Sequence, residues 1–169
     1  MRTRHEAPDP AAGGRRGFPG RLGAPAPVPG GGTPMNGGAI VLVAAAALID
    51  ADGRVLVAQR PEGKTMAGLW EFPGGKIALG ETPEAALVRE LAEELAIEVC
   101  ETCLYPLSFA SHAYQDFHLL MPLYVCRQWQ GIPTPQEGQG IRWFYPNALA
   151  ALAMPPADAP LVQALRDYL

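Results

Sequence analysis

Residues Gly75–Ile97 read GKIALGETPEAALVRELAEELAI, and this stretch decides the fold. Thr82 is a suitable N-cap, because its hydroxyl can accept a bond from an otherwise orphan backbone N–H. Pro83 follows at the first helical position, where its missing N–H costs nothing. From there to Leu95 nearly every residue is a good helix former. At about 100° per residue, Leu87, Val88, Leu91 and Leu95 gather on one stripe that should face a core. Glu90, Glu93 and Glu94 gather on an adjoining stripe, because positions three and four apart are neighbours on a helix. Arg89 lies beside them.

Each unrelieved glutamate pair on that face costs a few tenths of a kcal/mol even when solvated. A solvated acidic face is the ordinary alternative, but the preceding loop weighs against it. Phe72-Pro73-Gly74-Gly75-Lys76 sets two glycines, which permit close backbone approach to a ligand, next to a lysine. Glu81 adds a fourth carboxylate just before the helix. A hard cation such as Mg²⁺ prefers carboxylate oxygens and shares its shell with water and substrate phosphate.

The spacing Gly75-x5-Glu81-x7-Arg89-Glu90-Leu91-x-Glu93-Glu94-x-Ala96-Ile97 resembles the Nudix box, the signature of Mg²⁺-dependent hydrolases of nucleoside diphosphates linked to another group. Every charged position of that pattern is filled. The family's glycine is Ala96 here. Glycine would suit a left-handed helix C-cap, so alanine should cost about 1 kcal/mol or shift the helix end.

Working outward, the chain of 169 residues suffices for one domain with a substantial core. Its net charge of −4 does not favour a nucleic-acid polymer as partner. No apolar run reaches the roughly 18 residues of a membrane-crossing helix. Cys100, Cys103 and Cys126 form a sparse, odd set that fits a reducing cytoplasm, with Cys100 and Cys103 as side chains of a strand. Residues 1–37 are rich in Gly, Pro and Ala and mildly basic, and read as a disordered tail before a domain over residues 38–169. Met35 is a candidate start.

Ala39 to Ile49 is a continuous apolar run, expected as a strand covered on both faces. Asp50-Ala51-Asp52-Gly53 is a turn signal, after which Arg54 to Arg60 returns as the second strand of a hairpin. Leu69 to Phe72 is a short strand. Beyond the helix, strands are expected over Glu98–Ser111 (bent at Pro106), Leu119–Arg127 and Ile141–Tyr145. Pro146 to Leu152 reads as a helical turn and Leu161 to Leu169 as an amphipathic helix. Together these give an α/β fold with a mixed sheet between helices, the sandwich the Nudix resemblance also implies.

The resemblance extends to the MutT-type branch over most of Ala39–Leu169, through Leu69-Trp70-Glu71-Phe72-Pro73-Gly74-Gly75-Lys76 and Pro155-Pro156-Ala157-Asp158-Ala159-Pro160-Leu161. That branch hydrolyses nucleoside triphosphates to monophosphate and pyrophosphate, with oxidised guanine nucleotides as best-known substrates. It implies Mg²⁺, for which Mn²⁺ can substitute, held by Glu90, Glu93, Glu94 and a Gly74 or Gly75 carbonyl. Glu137, in Glu-Gly-Gln ahead of a Trp-containing strand, resembles the loop glutamate that completes the shell or activates water. Either Glu90 or Glu137 is then the general base. Arg89 would orient a box glutamate and Glu81 hold the loop. Arg60 and Lys76 are expected on the substrate side with Gly74, whereas Lys64 reads as a solvated loop charge. Phe72 and Tyr114 could flank the base by stacking. Asp158 stands where the branch usually has Asn, and a carboxylate suits a base edge that offers N–H donors. Phe117 replaces an arginine that would help read the purine. A cytidine-nucleotide or broad-range hydrolase is therefore the alternative, ahead of a nucleotide sensor or a partner-binding role for the tail.

Overall fold

In the structure, a computed structural model, residues 38–169 are described. The tail expected over residues 1–37 and the start at Met35 lie outside the described residues. The order is β1 (Ala39–Leu48), β2 (Val55–Gln59), β3 (Trp70–Glu71), β4 (Gly74–Lys76), α1 (Pro83–Leu95), β5 (Tyr105–Ala113), β6 (Phe117–Cys126), β7 (Gly140–Phe144), α2 (Pro146–Leu149) and α3 (Asp158–Tyr168).

β1 is central because both its faces are apolar. Side chains alternate across a strand, so Ala44, Ala46 and Leu48 meet Leu87, Leu91 and Leu95 of α1. Ala45, Ala47 and Ile49 belong to the opposite core, with Leu161, Val162 and Leu165 of α3. Their small side chains leave room for a helix on each side. β1 pairs in parallel with β6, Val41 opposite Leu119 and Leu48 opposite Cys126. On its other edge it pairs antiparallel with β4, Ala45 opposite Gly74. With β5 this makes a mixed sheet of order β4-β1-β6-β5, and a second antiparallel sheet runs β3-β2-β7.

The expected hairpin of β1 and β2 is corrected. Only an isolated bridge, Ile49 to Val55, joins them, and β2 instead takes β3 and β7 as neighbours. The turn formed as its residues suggest: Asp50 Oδ1 accepts the N–H groups of Asp52 (3.0 Å) and Arg54 (2.8 Å), and Gly53 sits at φ +77°. It redirects the chain into the second sheet.

The strand expected from Glu98 is also corrected. A 3-10 turn occupies Glu101–Cys103, and the strand begins only at Tyr105. Residues three apart eclipse on such a turn. Cys100 and Cys103 are thereby brought together and form a disulfide, Cα–Cα 5.2 Å. They are not unpaired side chains of a strand. Cys126 is free and buried, its thiol pKa pushed up by that burial. The bend expected at Pro106 is a bulge between Pro106 and Ser108, where a residue without an N–H interrupts the ladder.

α1 is capped as its sequence dictates at one end and against propensity at the other. Thr82 Oγ1 accepts the Ala85 N–H at 3.1 Å. Ala96 takes the left-handed cap, φ 54° and ψ 37°, and gives its N–H to Ala92 O. The helix end has not shifted; alanine accepts a conformation that costs about 1 kcal/mol relative to glycine. Among the described residues no helix is long and apolar enough to cross a membrane.

Candidate active site

Two glycines allow α1 to approach β4. Gly74 has φ +145°, and a Cβ there would collide with the Ala44 carbonyl. A Cβ on Gly75 would occupy the space of the Glu90 carboxylate. The glycines therefore form a cradle in which Glu90 lies against backbone. One turn on, Glu94 Oε2 faces the Gly74 N–H at 3.4 Å. Burial, together with the charges of Glu90, Glu137 and Glu71, raises the Glu94 pKa to about 7. Among the described residues its carboxylate has one long hydrogen bond and no ion pair within 4 Å.

Arg89 organises the other side. Its Nε and Nη2 hold the two Glu81 oxygens at 2.8 and 2.9 Å, and Nη1 donates to Glu90 Oε1 at 2.7 Å. Nη2 also reaches the Lys76 carbonyl at 3.1 Å. Glu81 in turn accepts the Ala78 N–H at 2.9 Å. One guanidinium thus joins helix, strand and loop. The Arg89 bond, then the Ala78 bond, lower the Glu81 pKa to about 2, and the same contacts raise that of Arg89.

Glu137 arrives from a different direction. The loop before β7 is hung on the end of α1, whose last carbonyls have no partner within the helix. Gln136 N–H and Gln139 Nε2 both donate to Glu94 O (3.0 and 2.8 Å), and Thr134 N–H donates to Leu95 O (2.9 Å). Gln139 Oε1 then accepts the Glu137 N–H at 2.7 Å. Gln139 is buried at 8 % exposure. Sequence reasoning missed its part; the only signal was its place two residues after Glu137.

Lys64 is a solvated loop charge as expected, and its Nζ also lies 2.8 Å from Glu137 Oε2, a contact that raises its pKa. Both residues line a cavity of about 30 Å³ with Glu71, Phe72, Pro73, Gly74, Glu94 and Gln139. Glu71 was also missed; it accepts Arg60 Nε at 2.7 Å. Arg60 further donates to Thr65 O at 2.6 Å. A larger cleft, between α2 and α3, carries no carboxylate in its lining.

Not every expected residue converges. Glu93 is 58 % exposed and stands 3.6 Å from Arg89 Nη1, on the solvent side of the helix. Lys76 is exposed. Phe72 is 4 % exposed and packs in the core, so it has almost no free ring to stack on a base. Tyr114 is stacked on Phe117, centroids 4.9 Å apart, with His112 edge-on at 4.6 Å. Asp158 is 4 % exposed in the first turn of α3, 3.5 Å from the Phe72 N–H. Burial raises its pKa to about 7, against that N–H.

Oxygen donors, a glycine cradle and a half-buried uncompensated carboxylate suit a hard divalent cation. Among the described residues no three acidic, histidine or cysteine side chains already form a ready-made ligand set. The basic side chains hold the carboxylates apart, Arg89 on Glu90 and Lys64 on Glu137.

A mixed sheet framed by helices, with a glycine loop delivering backbone to a helix-borne glutamate pair, defines an enzyme that works on phosphate anhydrides. The chain belongs to the NUDIX domain family, whose model matches residues 44–164. It is 39 % identical over 126 residues to the 8-oxo-dGTP diphosphatase of Haemophilus influenzae, covering 75 % of this chain and 91 % of that one. It is 38 % identical over 121 residues to the CTP pyrophosphohydrolase of Escherichia coli, covering 70 % and 87 %. The solution structure of the E. coli ORF135 protein superimposes with a TM-score of 0.69 at 32 % identity, over 80 % of this chain and 94 % of that one. The chain is accordingly a Nudix pyrophosphohydrolase.

Proposed function

We propose that this protein hydrolyses nucleoside triphosphates to the monophosphate and pyrophosphate, and that oxidised purine nucleotides such as 8-oxo-dGTP are its main substrates. The observation that carries the reading is the Glu94 carboxylate, held against the Gly74 N–H beside Glu90 in its glycine cradle. Glu90, Glu93, Glu94 and Glu137, with a Gly74 or Gly75 carbonyl, would hold Mg²⁺, or Mn²⁺ in its place. Bound there, a divalent cation would neutralise charge on the diphosphate and acidify a water. Glu90 or Glu137 would serve as the base for the attacking water. Arg89 holds the Glu90 carboxylate in place, while Glu81 ties Arg89 to the loop. Asp158, with its raised pKa, donates or accepts at the base edge according to pH. The reaction belongs to the cytoplasm, where nucleoside triphosphates are held.

The similarity to an 8-oxo-dGTP diphosphatase supports this reading. A second reading, a CTP or dCTP hydrolase, draws support from the E. coli relative and from Phe117, which stacks on Tyr114 where an arginine would read a purine. A turnover panel of 8-oxo-dGTP, dGTP, dCTP, CTP and ADP-ribose with Mg²⁺, scoring pyrophosphate release, separates the two. Preference for 8-oxo-dGTP, abolished in Glu94→Gln, is the expected result. Preference for cytidine nucleotides would replace it with the second reading.

A further inference from the structure

We propose that Lys64 is a phosphate-binding latch: it holds Glu137 across the cleft in the nucleotide-free protein and transfers to the substrate's phosphate chain on binding, releasing Glu137. This deepens, and rests on, the nucleoside triphosphate reading.

Lys64 is carried by the loop between β2 and β3. The loop's neck is closed by Arg60 N–H to Leu69 O (3.0 Å) and Gly68 N–H to Arg60 O (2.9 Å). Met66 within it adopts φ 59°, a conformation unusual for a side-chain-bearing residue. The loop is therefore shaped, and its tip delivers Lys64 Nζ to Glu137 Oε2 at 2.8 Å. Glu137 comes from the loop before β7, pinned to α1. Among the described residues, this is the ion pair that joins the two loops.

Three observations make the pair a latch rather than a strut. The cavity lined by both residues measures about 30 Å³, space for only a few waters, and the pair borders it. The pair is exposed, 57 % at Lys64 and 43 % at Glu137, and such a bridge is worth only about 0–1 kcal/mol, so it opens at little cost. Finally, Lys64 is the one cationic residue that lines the cavity among the described residues. Arg60 is committed to Glu71 and Thr65, and Arg89 to Glu81 and Glu90. A lysine is a compact charge on a flexible stem, able to leave one carboxylate for a polyanion a few ångströms away.

The latch makes two predictions of opposite sign for Lys64→Met in the full chain. Without nucleotide, Mn²⁺ binding followed by electron paramagnetic resonance should tighten by about 3- to 10-fold, because Glu137 loses a competing cation. The KM for the triphosphate preferred by the wild type should rise about 10-fold with kcat changed far less, as expected for lost ground-state binding. Lys64→Arg should keep both parameters near wild type. A strut would weaken metal and nucleotide binding together. Unchanged or weaker Mn²⁺ binding in Lys64→Met, or an unchanged KM, overturns the latch. If the wild type turns over no triphosphate, the function proposed above fails on its own. The Mn²⁺ measurement, paired with the affinity for inorganic triphosphate, then still decides the latch, which requires the first to tighten and the second to weaken.

Discussion

Replacing Asp158 by Asn should remove a pH-dependent loss of stability. Asp158 is 4 % exposed, and its pKa stands at about 7 against an ordinary 3.8. A carboxyl whose folded pKa is raised binds its proton more tightly in the native state. Its stabilisation is complete below pH 3.8 and is lost as pH rises to about 7. The full effect is about 4 kcal/mol, at about 1.4 kcal/mol for each of roughly three pH units. Part of it is already gone at pH 5, which leaves about 3 kcal/mol to disappear between pH 5 and pH 9. Asparagine keeps an oxygen for the Phe72 N–H but cannot ionise. Urea denaturation of wild type and Asp158→Asn at the two pH values cancels every other titrating group, including Glu94. The variant should gain about 3 kcal/mol on the wild type from pH 5 to pH 9. Parallel pH profiles would refute the reasoning and mean that Asp158 is solvated or paired in the native state.

Other perturbations test other parts of the structure. Ala96→Gly relieves a left-handed cap at φ 54°, and should raise stability by about 1 kcal/mol in the same denaturation assay with turnover unaffected. Gly75→Ala puts a methyl where the Glu90 carboxylate lies. It should reduce kcat/KM by about 100-fold or more, because a misplacement of about 1 Å at a reacting group costs that much. The Cys100–Cys103 disulfide leaves Cys126 as the single thiol. Alkylation in denaturant without reductant should therefore add one group by mass spectrometry and three after reduction; three additions in both would show the pair reduced.

The layers of the fold were legible because they rest on local signals. The helix from Thr82 to Leu95 followed from its cap and stripe, and the doubly covered β1 from an apolar run with no polar position. What escaped was non-local. Splitting of the strands into two sheets depends on which neighbours β2 finds, and the turn at Asp50 reads the same for a hairpin as for a crossing between sheets. The disulfide depended on a 3-10 turn too short to carry a periodic signal. In the site, Glu90, Glu94, Gly74 and Gly75 lie within one segment, and their grouping follows from helix and loop geometry. Glu71, Lys64 and Gln139 came from three other segments. Each looks like a routine polar loop or strand residue until the chain folds. Glu93 stands 58 % exposed beside Arg89, because helix spacing fixes which residues share a stripe and not where that stripe meets solvent.

The division into two sheets bears on how the cleft is built. Gly74 and Gly75 ride on the first sheet, through β4 on the edge of β1. Lys64 and Glu71 ride on the second, Lys64 in the loop joining β2 to β3 and Glu71 in β3 itself, and Glu137 lies in the loop that leads into β7. The isolated bridge Ile49–Val55 and the link Phe72–Pro73 are among the connections between the sheets, and the Pro73 carbonyl accepts the Ala46 N–H at 2.9 Å. The cavity is consequently lined from both sheets, Gly74 from one and Glu71 from the other, with Pro73 where the chain passes between them.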